Sequence, residues 1–124
     1  DHPGKDSYRL RESGCKEVLL LGNDRWALMH ELRGAAEPPL EYLLDRMQET
    51  DLVLVEGFKS GQFPKLEVWR ADLGKPPLWP EQAGIIAIAS DRSPVSTPAS
   101  NLPWLRLDDI APIADFVLQQ ATRR

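Results

Sequence analysis

The sequence predicts an α/β fold built on a largely parallel sheet. Leu52, Val53, Leu54 and Val55 form one unbroken apolar run, and Ile85, Ile86, Ala87, Ile88 and Ala89 form a second. Runs without alternation suit strands covered on both faces, as in the middle of a parallel sheet. Segments with helical spacing alternate with these runs, the order expected of α/β chains.

Taken in order, Pro3, Gly4 and Lys5 form a turn before a short helix over residues 8–13, with Asp6 or Ser7 as the N-cap. Gly14 is placed as the C′ residue that ends it. Residues 17–21 read as a strand stopped by the turn cluster Gly22, Asn23, Asp24. Residues 25–32 fit either a second short strand or a helical turn, and the tight connection favours the strand. Leu40, Leu43, Leu44 and Met47 lie at i, i+3, i+4 and i+7, one helical stripe entered through Pro38 and Pro39.

That helix leads into the run at 52–55. A further strand over 65–70 alternates, with Leu66 and Val68 inward and Lys65 and Glu67 in water. Residues 71–84 carry three prolines and a tryptophan and read as irregular. After the strand at 85–89, residues 92–103 form a Ser/Pro-rich loop. A short strand over 105–107 then precedes a C-terminal helix capped by Asp108 or Asp109. Ile113, Val117 and Ala121 stack there with Ala114 and Leu118, and Pro112 lies in the first turn.

Composition narrows the possible functions. At 124 residues the chain can bury a core, and its net charge of −4 argues against a nucleic-acid surface. No apolar run is long enough to cross a bilayer as a helix. The single Cys15 cannot form an internal disulfide, which points to a reducing cytoplasm. The opening Asp1-His2-Pro3, without methionine, reads as if cut from something longer.

Candidate chemistry collects at the ends of the two apolar runs, where open α/β sheets place ligands. Glu56 could hold Mg²⁺ beside nucleotide phosphates, with Gly57 letting backbone approach a terminal phosphate; equally, the pair could cap a turn and supply a positive φ. Lys59 could meet phosphate as a point charge or be a solvated lysine. Ser90 and Asp91 end the second run, and Asp91 could accept two N–H bonds from a guanine edge or simply start a turn. Asp1, Lys5, Asp6 and Ser7 form a polar knot before the first helix. His2 and His30 lack metal-ligand spacing. Trp26 and Met29 read as core; Trp69, Trp79 and Trp104 read as packing residues with an interface as the other use. No G-x-x-x-x-G-K-[ST] motif occurs.

Four blocks together carry a resemblance: Asp1-His2-Pro3-Gly4-Lys5-Asp6-Ser7-Tyr8, Arg25-Trp26-Ala27-Leu28-Met29, Leu54-Val55-Glu56-Gly57-Phe58-Lys59 and Ile88-Ala89-Ser90-Asp91. In order and spacing they resemble the molybdopterin-guanine dinucleotide biosynthesis protein B (MobB) family. The resemblance implies a P-loop NTPase type of fold, mostly parallel, with helices flanking the sheet and a small β-rich extension. It also implies a cytoplasmic dimer that binds GTP and Mg²⁺. Such a protein hydrolyses GTP weakly and helps MobA, a guanylyltransferase, attach a guanine nucleotide to molybdopterin.

Carried over by position, Glu56 becomes the Walker B acid near Mg²⁺ and Gly57 approaches the γ-phosphate. Ser90 and Asp91 lie near the base, while Asp1, Lys5, Asp6 and Ser7 form a switch-like segment. The family's first strand, P-loop, first helix and second strand would precede Asp1. Residues 1–124 are therefore expected to be the C-terminal part of a single GTP-binding domain, as a fragment or a degraded homologue. The alternative is a non-catalytic interaction module without nucleotide binding. A synthetase related to dethiobiotin synthetase would share the Val-Glu-Gly strand end but leave the Asp6-Ser7 and Ser90-Asp91 blocks unexplained.

Overall fold

The computed structural model describes residues 3–58, 63–92 and 102–123. They form two compact units, divided after Gln48.

The first unit begins with helix α1 (Asp6–Glu12), two residues earlier than the capping argument places it. Lys5 holds the N-cap position without a side-chain bond, so neither Asp6 nor Ser7 caps; Ser7 is buried instead. The C-terminal end is as expected. Gly14 has φ +112, its N–H bonds to Arg11 O at 3.2 Å, and Cys15 N–H bonds to Leu10 O at 3.2 Å. These two bonds close a Schellman turn, which needs a left-handed residue at C′.

Strands β1 (Glu17–Leu21) and β2 (Trp26–His30) pair antiparallel, from Glu17 opposite His30 to Leu21 opposite Trp26. Side chains alternate across a strand, and Val18, buried at 5 % exposure, belongs to the face that also carries Met29. The other face carries Leu19, Leu21, Trp26 and Leu28, all exposed. Trp26 is thus not core: its register with Leu21 puts it on the side away from Val18. On that outer face His30 Nδ1 lies 3.0 Å from Glu17 Oε2. Helix α2 (Leu40–Leu44) starts after Pro39, with Leu40 and Leu44 half-buried; the predicted stripe stops short of Met47, which is exposed.

The second unit holds a parallel three-stranded sheet in the order β3 (Lys65–Trp69), β4 (Ile85–Ser90), β5 (Trp104–Arg106). The fold is therefore mixed α/β with a parallel sheet. Strand β4 is central, and Ala87, Ile88, Ala89 and Ser90 are fully buried, as its unbroken apolar run requires. Residues 52–55 carry the same pattern yet form no strand; all four are exposed, Leu54 at 75 %. A strand exists only through a neighbour's hydrogen bonds, and among the described residues none pairs with this run.

The alternation predicted for β3 holds only in part: Leu66 is half-buried as expected, but so are Lys65 and Glu67. Val68 is exposed, while Glu67 and Trp69 turn inward. Glu67 is drawn in by two backbone donors: its carboxylate accepts Leu78 N–H at 2.6 Å and Trp79 N–H at 3.0 Å. Trp69 meets the buried Trp79 edge to face, with centroids 5.6 Å apart, and Trp79 packs with Ile85 and Ile88. Between β3 and β4 lies a 3-10 turn at Ala71–Leu73 closed by Gly74 in the left-handed region. Helix α3 (Ile110–Gln120) has Asp109 at its N-cap position without a side-chain bond, and Pro112 lies in its first turn. Its half-buried residues are Ile113, Phe116 and Val117; Ala114 and Leu118 are exposed, so the stripe turns toward Phe116 rather than Leu118.

Candidate functional site at the carboxyl edge of the parallel sheet

The three parallel strands end in step. Register pairs Trp69 with Ser90 and Ser90 with Arg106, so Arg70, Asp91 and Leu107 are the first residues beyond the sheet. Neighbouring strands lie about 4.8 Å apart, which brings the side chains leaving them within reach of one small ligand. Arg70, Asp91, Arg106, Leu107 and Asp108 line an open depression of about 170 Å³ here. This is the edge at which open α/β sheets bind ligands.

Ser90 and Asp91 divide the labour. Ser90 is fully buried, and its Oγ lies 3.3 Å from Arg92 N–H, which it accepts, and 3.4 Å from Asp91 Oδ1. It holds the turn that follows β4. Asp91 Oδ1 also accepts Ala71 N–H at 3.4 Å. Among the described residues Asp91 Oδ2 has no hydrogen-bond partner, so the carboxylate is held by one oxygen and open at the other.

Arg106 and Asp108 form a two-bond fork. Nε donates to Oδ1 at 3.2 Å and Nη2 to Oδ2 at 3.1 Å. These bonds, then the guanidinium charge, hold the Asp108 carboxyl below its ordinary 3.8. Arg70, Arg106 and Asp108 were not singled out from the sequence. Arg70 follows one parallel strand, Arg106 ends another, and Asp108 lies in the turn after it, which is closed by the Asp109 N–H bond to Arg106 O.

In the second unit, Glu56 and Gly57 are not among the residues that line the depression. Glu56 is exposed on the segment without a ladder. Gly57 has φ +85, and a Cβ there would meet nothing within 4 Å. It thus supplies a left-handed turn, as one of the two uses read from sequence requires. Lys5 and Asp6 are exposed in the first unit, where Ser7 is buried. Lys59 and Asp1 lie outside the described residues. No group of three or more His, Cys, Asp or Glu side chains able to hold a metal occurs among the described residues. A single carboxylate with an otherwise water- and phosphate-filled shell is nevertheless the donor set Mg²⁺ accepts, and Glu56 fits that role chemically. No described helix is long and apolar enough to cross a membrane.

Fold and site define an α/β protein with a small open depression at the carboxyl edge of a parallel sheet. The family model for molybdopterin guanine dinucleotide synthesis protein B, MobB, matches residues 1–91. The chain is 37% identical over 122 residues to the molybdopterin-guanine dinucleotide biosynthesis adapter protein of Escherichia coli, covering 96% of this chain and 67% of that protein. It is 35% identical over 119 residues to the Haemophilus influenzae protein of the same name, covering 94% and 63%. Bacillus subtilis MobB superimposes with a TM-score of 0.64 at 25% identity, over 94% of this chain and 75% of that one. The chain belongs to the MobB family. It spans about two thirds of the length of the curated relatives it matches.

Proposed function

We propose that the chain is the guanine-recognising part of an adapter in molybdopterin-guanine dinucleotide biosynthesis. The observation that carries this reading is Asp91: it leaves the end of the buried β4 with one oxygen tethered and Oδ2 open in the depression. Guanine presents N1–H and N2–H₂ side by side, and the open Oδ2 can accept from that pair of donors; adenine offers no such pair. Binding polar groups of one pattern discriminates strongly because the wrong base leaves them unpaired.

On this reading the whole protein has a P-loop NTPase type of fold, of which residues 1–124 are the C-terminal part. GTP lies along the carboxyl edge, Asp91 takes the base, and Glu56 holds Mg²⁺ beside the phosphates. Gly57 and Lys59 lie on the phosphate side, and Asp1, Lys5, Asp6 and Ser7 respond to the nucleotide as a switch. Magnesium would neutralise phosphate charge. The protein works as a cytoplasmic homodimer with a MobA-type guanylyltransferase as partner, and its own hydrolysis of GTP is weak.

Isothermal calorimetry of the chain with GTP and with ATP, each with Mg²⁺, tests the reading. GTP is expected to bind more tightly, and Asp91→Ala to abolish the difference. Equal binding of the two nucleotides, or a preference that survives Asp91→Ala, would defeat it. A second reading, an interaction module without nucleotide function, is favoured by the exposed apolar face of Leu19, Leu21, Trp26 and Leu28. Partner capture that is indifferent to GTP would support that reading instead.

A further inference from the structure

We infer that Arg106 is a specificity-determining residue of the base subsite, presenting its free guanidinium edge to O6 and N7 of guanine. The inference rests on the guanine reading of the same depression and adds a second base-contacting group to it. A guanidinium has five N–H donors in a rigid plane. Asp108 occupies one side of that plane through Nε and Nη2. Among the described residues Nη1 donates to nothing, so the end of the plane, formed by Nη1 and the second hydrogen of Nη2, still offers two parallel donors. That is the fork which matches the O6 and N7 acceptors of guanine. Adenine keeps N7 but replaces O6 with an amino donor, so it meets the fork with one clash of like groups.

Position supports the assignment. Ser90 and Arg106 are register partners on adjacent parallel strands, so Asp91 and Arg106 leave the sheet about one strand spacing apart. On guanine, O6 is the atom next to N1–H. A carboxylate and a guanidinium standing side by side therefore meet two adjoining edges of one ring. Asp108 is a positioning residue: its two bonds orient the plane of Arg106, while the exposure of both side chains, 65% and 72%, leaves the pair a small contribution to stability. Its carboxyl pKa is lowered first by the hydrogen bonds from Arg106, in agreement with the fork. Arg70 lines the same depression and has no ion pair among the described residues; it supplies a further guanidinium to the rim.

The test uses the full chain and isolates the base from the phosphates. GMP, 7-deaza-GMP and AMP are titrated into it while NMR follows the Arg106 side-chain Nε–H and the Asp91 backbone amide. The 7-deaza compound replaces N7 with C–H and keeps every group that Asp91 reads. GMP is expected to bind about 10-fold more tightly than 7-deaza-GMP and to shift the Arg106 signal. Arg106→Met, which keeps much of the side-chain length but offers no N–H donor, should bind GMP and 7-deaza-GMP alike. Asp108→Asn should shrink the difference without removing it. Equal binding of GMP and 7-deaza-GMP to the wild type, with GMP still preferred over AMP, would overturn the role of Arg106 and leave Asp91 standing. A 7-deaza penalty that persists in Arg106→Met would overturn it too. Failure of GMP to outbind AMP would remove the guanine reading and Arg106 with it.

Discussion

Glu67 is the polar residue on which the second unit leans most, and replacing it by alanine should be costly. Its carboxylate accepts two backbone donors, Leu78 N–H at 2.6 Å and Trp79 N–H at 3.0 Å. Hydrogen bonds to a charged group contribute about 1.5–3 kcal/mol each. The Leu78 bond is exposed and is worth the lower end or less, because water replaces the lost acceptor. The Trp79 bond is partly buried, and Trp79 is a member of the Ile85 and Ile88 cluster. The loss in Glu67→Ala is therefore about 2–4 kcal/mol, a large fraction of the total for a small domain. Glu67→Gln keeps one acceptor oxygen but turns an amide donor toward the second N–H, so it should lose at least half as much. Urea unfolding followed by tryptophan fluorescence measures both, and the near-UV circular dichroism of the Trp69–Trp79 pair reports whether the local packing loosens first. A Glu67→Ala midpoint equivalent to a loss under about 0.5 kcal/mol would refute the argument. The 78–79 backbone would then be held by the tryptophan packing alone.

Two further outcomes follow from single positions. Gly57→Ala forces a side chain into φ +85, and with nothing within 4 Å of the new Cβ the cost is conformational only; about 1–2 kcal/mol is expected from chemical denaturation. Asp108 has a folded pKa below its ordinary 3.8, so its ionised pair stabilises the fold fully above that value and is lost as pH falls through the lowered one. In Arg106→Ala, NMR titration should return the Asp108 carboxyl to the ordinary range, and the acid limb of the stability curve should flatten slightly.

Strand β4 was legible because a run buried on both faces leaves a signature in composition alone. Residues 52–55 carry the same signature and form no ladder, since pairing is a property of two segments and only one of them is written in the run. The inward turn of Glu67 was hidden for a related reason. A carboxylate in an alternating strand is ordinarily read as wet, and its acceptor role depends on two N–H groups more than ten residues away. Trp26 went to the outer face because hairpin register, not hydrophobicity, decides which side it takes. Of the site, Asp91 was visible at a strand end, whereas Arg106 and Asp108 required knowing that the last short strand is parallel to β4 and ends level with it.

On the proposed guanine reading, the candidate nucleotide-binding residues are unequally prepared. Those proposed for the base follow the fully buried Ser90 and include an Arg106–Asp108 fork with both bonds made. Groups fixed in this way lose little freedom when a ligand arrives. Glu56 and Gly57 instead stand on an exposed segment without a ladder among the described residues, so ordering that backbone costs about 1–2 kcal/mol per residue and offsets what a phosphate contact contributes. Affinity in this chain should accordingly depend on the base far more than on the number of phosphates. GTP and GMP, compared by calorimetry with Mg²⁺ present, are expected to differ by less than about 10-fold, a gap of about 1.4 kcal/mol. A gap of about 1000-fold in favour of GTP would mean that the 52–57 segment is already set for phosphate, contrary to its lack of partners.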